Sequence, residues 1–385
     1  MPDTTLITDC RVCGAPSDAP SQDVLLEDGR IAAVAASAQK PACDTVVEAG
    51  GRLLAPGFID VHIQGAGGAD VLDATGEALR DVARICARFG VTGFLATTVF
   101  KPGRDNRHLQ VAAEHVGKDL GGARLLGIHL EGPFISGGKR GMIQPDCICD
   151  PSPDVLKAIL DVCAGHLRMM TIAPELDGSL PLVEWLVDAG VVAALGHTMA
   201  TYEQTLAGFD AGIDHVTHLF NAMPGIHHRA PGPLTAIFNS DTVTVQLISD
   251  GVHVHPAVVK MTCDLLGPER IEIITDGIQA LGLPDGGYTY NGVPYESKDG
   301  SARYKDGTLI GTAVGLSELV GRFVAYTDCS FEDAVACVSS NPAGVLGLGG
   351  SKGAIAAGMD ADLVLLDADG SVHTTIVDGR VVYRK

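Results

Sequence analysis

One glutamate, two histidines and one aspartate stand in this chain where a hydrolytic metal site needs them. His218 lies in His215-Val216-Thr217-His218-Leu219-Phe220-Asn221-Ala222-Met223, and Glu131 in Gly127-Ile128-His129-Leu130-Glu131-Gly132-Pro133. His197 lies in Leu195-Gly196-His197-Thr198, and Asp276 in Ile274-Thr275-Asp276-Gly277. Each sits at the end of a short apolar run that reads as a β-strand. Two imidazoles and one carboxylate suit a divalent cation such as Zn²⁺ and leave a coordination position open for water, as in catalytic rather than structural sites. A dication lowers the pKa of such a water towards about 7. Asp276 is then placed to take the proton and deliver it to a leaving amine. A single buried His is commonly a core residue and a single strand-end Asp a helix cap. The four together point to a site.

The elements that must position these residues alternate. Strand-like runs span 53–63, 92–98, 124–131, 167–173, 191–197, 215–221, 242–249 and 271–276. Helix-like runs at 77–89, 153–164, 180–189, 202–209 and 256–266 separate them, several ending in Gly as helix C-termini prefer. Further helices are expected from about Ser317 and from Phe331. Eight strand–helix units in a row imply an α/β fold, a parallel (β/α)8 TIM barrel spanning 55–345. An open doubly wound sheet is the alternative. Barrel chemistry sits at the C-terminal ends of the strands. His62, Glu131, His197, His218 and Asp276 lie at or near the ends of strands 1, 3, 5, 6 and 8 and would converge there. The chain ends read differently. Asp28-Gly29 and Asp378-Gly379 each mark a hairpin. Neither end can bury a core alone, so 1–54 and 346–385 are expected to form one small β-sandwich domain.

Composition removes several function classes. The chain has 385 residues, 46% apolar, enough for one large domain and a smaller one. Its net charge of −20 argues against nucleic acid, which needs a basic face. No apolar run reaches membrane-spanning length and the first residues carry no basic region, so no membrane association and a cytoplasmic location are expected. The ten cysteines are scattered, most in apolar surroundings, as small buried hydrophobes are. Cys10-Arg11-Val12-Cys13 has no second pair to make a zinc site with.

Taken together, these segments resemble the N-acetylglucosamine-6-phosphate deacetylases of the amidohydrolase superfamily. The resemblance begins at Leu54-Ala55-Pro56-Gly57-Phe58-Ile59-Asp60-Val61-His62 and runs through His129-Leu130-Glu131-Gly132-Pro133, Gly196-His197-Thr198 and Thr217-His218-Leu219-Phe220-Asn221-Ala222-Met223. It continues through Asp250-Gly251-Val252-His253, Thr275-Asp276-Gly277, Gly307-Thr308-Leu309-Ile310-Gly311 and Asn341-Pro342-Ala343. It implies one divalent metal per subunit on Glu131, His197 and His218, zinc first, with iron, cobalt or manganese as alternatives. Asp276 would be general base and acid. The sugar phosphate would be held by Asn221, the Ala222 backbone, Arg229 and His253, with Met142 and Ile310 also at the substrate. Arg229 would come from the neighbouring subunit, which makes a homodimer. Arg229 and His253 are also what a phosphate on an acidic protein requires, since they supply local cations.

Two departures from the family pattern stand out. Members that bind two metals carry His-x-His after the first strand; here the segment is His62-Ile63-Gln64. An amide oxygen is a poorer zinc ligand than imidazole. One firmly held metal is therefore expected, with a second site weak or absent, His62 a partial ligand or only a pocket residue, and Gln64 free to bond substrate. Many members also place a His in the loop after strand 3, where it polarises the amide carbonyl. Here that loop is Lys139-Arg140-Gly141-Met142-Ile143-Gln144-Pro145. Gln144 is expected to donate in its place, and Lys139 or Arg140 to contact another part of a different substrate. The competing readings are a deacetylase of N-acetylgalactosamine 6-phosphate or another N-acyl sugar phosphate, and a catalytically weak binder of sugar phosphates. A cyclic amidase would need a carboxylated lysine or a second His in the first motif.

Overall fold

Gly57 divides the run from Leu53 to Ile63 into two strands that belong to different sheets. Leu53–Pro56 pairs with Leu363–Leu366 and with the end of Thr4–Val12, whereas Phe58–Ile63 pairs with Val91–Thr98. A Cβ at Gly57 would lie 2.2 Å from Thr92 Oγ1, so only glycine lets the chain pass. The expected single strand is thus corrected at this residue. The computed structural model describes residues 4–16, 18–36 and 43–385. Met1, Pro2 and Asp3, at the start of the stretch read for a leader, lie outside the described residues, as do 17 and 37–42 of the segment 1–54 expected in the small domain.

The large unit is the barrel that the strand–helix alternation implies. Its eight parallel strands are Phe58–Ile63, Val91–Thr98, Arg124–Glu131, Leu167–Ile172, Val192–Leu195, His215–Val216, Thr244–Leu247 and Ile271–Ile273, in that spatial order. The ring closes where the Asp276 N–H donates to the His62 carbonyl at 2.9 Å and Ile63 bridges to Gly277. Helices Gly76–Arg88, Pro153–Cys163, Ser179–Asp188, Tyr202–Asp210 and Pro256–Leu266 surround it within one or two residues of expectation, with Arg107–His115 and Gly232–Asn239 added. The first of these shows why they form. Thr75 caps the Ala78 N–H, and Leu79, Val82, Ala83 and Cys86 form one buried face against the sheet. Among the described residues no helix is long and apolar enough to cross a membrane.

Both chain ends contribute to one further sheet of eight strands. Hairpins turn at Asp28-Gly29 and Asp378-Gly379. Ile7, Val24, Leu26 and Val47 from the N-terminal part share a core with Leu363, Leu365 and Ile376 from the C-terminal part. A four-stranded antiparallel sheet, Gly286–Tyr290, Val293–Lys298, Ser301–Tyr304 and Leu309–Thr312, follows the eighth barrel strand. The alternation argument does not anticipate it.

Inside the barrel the polar side chains of His129, His215, Gln246 and Glu272 are buried beside an apolar cluster that includes Ile59, Val61, Leu95 and Met169, and Glu272 is at odds with its surroundings. Glu272 is fully buried, and neither of its oxygens nor His215 Nε2 has a hydrogen-bond partner. Burial, reinforced by Asp214, pushes the Glu272 carboxyl well above the usual range. The unfolded chain releases this proton near about pH 4.3 and the folded chain retains it, so folding loses stability as pH rises above that value. Glu272→Gln should therefore raise the melting temperature, by a margin that widens from about pH 5 to about pH 8. Thermal melts of both proteins across that range check this; a margin independent of pH contradicts it.

Candidate active site

Strand geometry delivers the site residues by an unexpected route. Glu131 is the last residue of its strand, but His197, His218 and Asp276 lie two or three residues beyond the last paired residue of theirs. All three have left-handed backbone, with φ of 47°, 29° and 47°. The expected strands through His197, Asn221 and Asp276 are corrected accordingly. The chain leaves the strand pairing before His197 and His218, and the left-handed turn at each of the three brings its side chain to the barrel mouth. Such conformations cost about 1–3 kcal/mol each in non-glycine residues and cluster at functional sites. Phe220 and Ala222 share them, at 75° and 53°.

Three of these side chains meet at one point. His197 Nε2 and His218 Nε2 are 3.0 Å apart and lie 3.1 and 3.2 Å from Glu131 Oε1. His197 donates its Nδ1–H to the Lys139 carbonyl at 2.7 Å, which turns an Nε2 lone pair to the centre. Burial holds the His218 pKa down, so its imidazole is neutral. Burial opposes ionisation of Glu131, but His62, His197 and His218 outweigh it and keep the carboxyl well below its usual range. A carboxylate and two imidazoles facing one another at such distances suit a divalent cation.

His62 stands beside this trio rather than in it. Its Nε2 is 3.6 Å from Glu131 Oε1 and 3.3 Å from Asp276 Oδ1, and its Nδ1 is 2.9 Å from Gln246 Oε1. Burial works against its charge, yet the carboxylates of Glu131 and Asp276 raise it to about 9. As placed, His62 pairs with carboxylates; it is not one of the clustered ligands.

A cavity of about 290 Å³ opens over the trio. Glu131, His197, His218, Asp276, Asn221, Ala222, His253, Met142 and Ile310 all line it. His253 is fixed by Asp250, whose Oδ2 lies 2.7 Å from Nδ1. Burial disfavours an ionised Asp250, but His253 and the Val252 and His253 N–H groups lower its pKa. Asn221 donates to the His218 and Leu219 carbonyls, tying the loop to the ligand it carries. The added antiparallel sheet supplies one wall through Leu309 and Ile310, backed by Tyr290 and Tyr295.

Besides His62, three expected residues do not line this cavity. Gln144 donates to the Met142 carbonyl at 3.1 Å and lies 3.4 Å from the Tyr304 hydroxyl, in a neighbouring recess. The amide expected in the oxyanion role is bonded here to these neighbouring groups. Ile143 is buried against Val99, Ile135 and Cys147. Gln64, expected at the substrate, is buried and bonds to the carboxylates of Glu131 and Asp276. Arg229 is exposed, with its guanidinium 2.6 Å from His228 Nε2. Conversely, Lys139 is the one Lys or Arg among the lining residues. Its ammonium reaches the Met223 carbonyl at 3.1 Å, beside Asn221 and Ala222. Sequence reasoning assigned it only to a different substrate.

Comparison with known proteins gives a consistent family. The amidohydrolase family profile matches residues 53–382. The N-acetylglucosamine-6-phosphate deacetylase of Bacillus subtilis is 34% identical, covering 100% of this chain and 98% of its own. The N-acetylgalactosamine-6-phosphate deacetylase of Escherichia coli O157:H7 is 35% identical, over 92% of this chain and 93% of its own. An aspartate-to-alanine mutant of N-acetyl-D-glucosamine-6-phosphate deacetylase from Mycobacterium smegmatis, solved in complex with N-acetyl-D-glucosamine-6-phosphate, superposes with a TM-score of 0.90. It is 35% identical and covers 99% of each chain.

Proposed function

We propose, from the premise that this chain belongs to the amidohydrolase family, that it hydrolyses the acetamide of N-acetylglucosamine 6-phosphate to glucosamine 6-phosphate and acetate. The observation that carries this reading is the convergence of Glu131, His197, His218 and Asp276 on one cavity. Glu131, His197 and His218 would hold one divalent metal, with zinc the first choice and iron, cobalt or manganese alternatives. When bound, that cation supplies Lewis acidity, which polarises a carbonyl and brings water near neutrality in its acidity.

The chain's own groups carry the rest. Asp276 Oδ1 is engaged by Gln64 and His62, so the other carboxylate oxygen remains for proton transfer. It takes a proton from water as the C–O bond forms, then gives it to the sugar nitrogen as the C–N bond breaks. Asp276 ends as it began; the second water proton passes from the new carboxyl group to the amine, and the products leave as acetate and the sugar ammonium. Asn221, the Ala222 backbone and His253 bind the phosphate end, and Met142 and Ile310 enclose the sugar. Arg229, turned away from its own cavity, serves the other subunit of a homodimer. All ten cysteines are free, which supports the cytoplasm as compartment.

The galacto epimer is the second reading, favoured by 35% identity to a deacetylase named for that sugar. Acetate release from the two epimeric 6-phosphates and from unphosphorylated N-acetylglucosamine separates these cases. The proposal expects the gluco 6-phosphate to be hydrolysed fastest. No release from any of the three by metal-loaded protein would leave a sugar-phosphate binder.

Lys139 makes a separate prediction within this reading. A charge-assisted contact is worth about 1.5–3 kcal/mol, or about 10- to 100-fold. Lys139→Met should raise KM for the phosphorylated substrate by that factor and leave kcat/KM for the unphosphorylated sugar nearly unchanged. Equal losses on both would assign Lys139 to holding the loop instead.

A further inference from the structure

The loop that carries His253 is clamped from behind by the helix Leu316–Thr327, at three consecutive residues. The Ser249 hydroxyl donates to the Leu319 carbonyl at 2.9 Å. Arg322 Nη1 donates to the Asp250 carbonyl at 2.8 Å. Gly251 faces Tyr326 so closely that a Cβ there would lie 2.8 Å from the phenolic oxygen, and its φ is 78°. Leu319, Arg322 and Tyr326 are three and four residues apart and so share one helix face.

Of these contacts, the one from Arg322 holds the residue that sets His253. Asp250 is 4% exposed, and among the described residues no other donor reaches its carbonyl. Its carboxylate is engaged in the same turn. Oδ1 accepts from the Val252 and His253 N–H groups at 2.9 and 2.8 Å, and Oδ2 lies 2.7 Å from His253 Nδ1. With Nδ1 engaged, Nε2 is the ring nitrogen left for the cavity. Arg322 itself does not line that cavity. It lines a groove of about 870 Å³ between the barrel and the sheet built from both chain ends. Among the described residues the Asp250 carbonyl is its one hydrogen-bond partner. Removing the guanidinium would leave a buried carbonyl unpaired. The turn would rotate to satisfy it, and the His253 ring would move with the turn.

We propose that Arg322 is a positioning residue for the phosphate end of the substrate. From outside the cavity it holds the Asp250 carbonyl, and through Asp250 it sets the ring of His253. The proposal rests on the reading in which His253 binds that phosphate.

The test is kinetic, on Zn²⁺-loaded protein with circular dichroism to confirm folding. Arg322→Met should raise KM for N-acetylglucosamine 6-phosphate by about tenfold or more, the effect of losing a hydrogen bond to a charged group, with kcat nearly unchanged. For the unphosphorylated sugar kcat/KM should stay close to that of the parent. In a His253→Gln background, Arg322→Met should change KM by less than about twofold, because its effect runs through a ring already removed. An unchanged KM, an equal loss on the unphosphorylated sugar, or a full additive loss in the His253→Gln background would each overturn the proposal, since a helix needed only for stability gives one of these. If Arg322→Met does not fold, Arg322→Gln is judged by the same criteria. Binding of glucosamine 6-phosphate, measured by calorimetry, needs no turnover, and its Kd should rise by the same factor in Arg322→Met. A parent that binds this compound but releases no acetate would defeat the deacetylase reading, and the ratio of Kd values alone would then decide the role of Arg322. A parent that neither binds it nor releases acetate would overturn both.

Discussion

Asp276→Asn should lower turnover of N-acetylglucosamine 6-phosphate by about 10²–10⁴-fold, the range for loss of a general acid–base group. KM and metal content should stay close to those of the parent. The substitution is nearly isosteric and keeps an Oδ1 that accepts from Gln64, the bond that fixes the side chain at 3.0 Å. Asn also tolerates the left-handed backbone found at this position, where φ is 47°. Only the ability to accept a proton is removed. Steady-state kinetics with metal analysis check this. A fall in metal content that accounts for the lost rate would make Asp276 a ligand rather than the proton carrier.

The second large effect is expected at Glu131. Its Oε1 is the anion that both clustered imidazoles face, at 3.1 and 3.2 Å. Glu131→Gln removes that charge and sets an amide against lone pairs. Changes one shell further out cost about 10- to 100-fold in metal affinity, and a direct ligand should cost more than about 100-fold. Activity should fall in parallel and recover in part at high metal concentration. Titration against a competing chelator measures the affinity; parental affinity in Glu131→Gln would remove Glu131 from the ligand set.

The barrel was legible because its strand–helix alternation is regular and each site residue follows an apolar run. The ends of the strands were less so. His197, His218 and Asp276 continue their runs in sequence, but the backbone turns left-handed at each and leaves the strand pairing before His197 and His218. No hydrophobic pattern records that turn. The added sheet was missed for another reason. Its strands are short, yet Asn291-Gly292 and Asp299-Gly300 are hairpin signals in the sequence, and both turns are observed. Reading them would have placed the wall that carries Ile310.

Side-chain direction was the least legible property. Gln64 and Gln144 have the right chemistry for substrate contact, but each finds better partners inside the protein. Gln64 is drawn to two buried carboxylates, and Gln144 to a backbone carbonyl and the Tyr304 hydroxyl. Both choices follow from satisfying polar groups in three dimensions, which spacing along the chain does not encode. Lys139 shows the converse. Its place in the cavity depends on the His197 ring bonding its carbonyl and on the Met223 carbonyl receiving its ammonium.

The central claim is that one metal at Glu131, His197 and His218 equips this cavity for amide hydrolysis. The most direct test is the initial rate of acetate release from N-acetylglucosamine 6-phosphate as Zn²⁺ is titrated into metal-stripped protein. The rate should rise from near zero in proportion to added metal and level off at about one equivalent per chain. Full activity in the stripped protein, or no acetate at any metal content, would contradict the account.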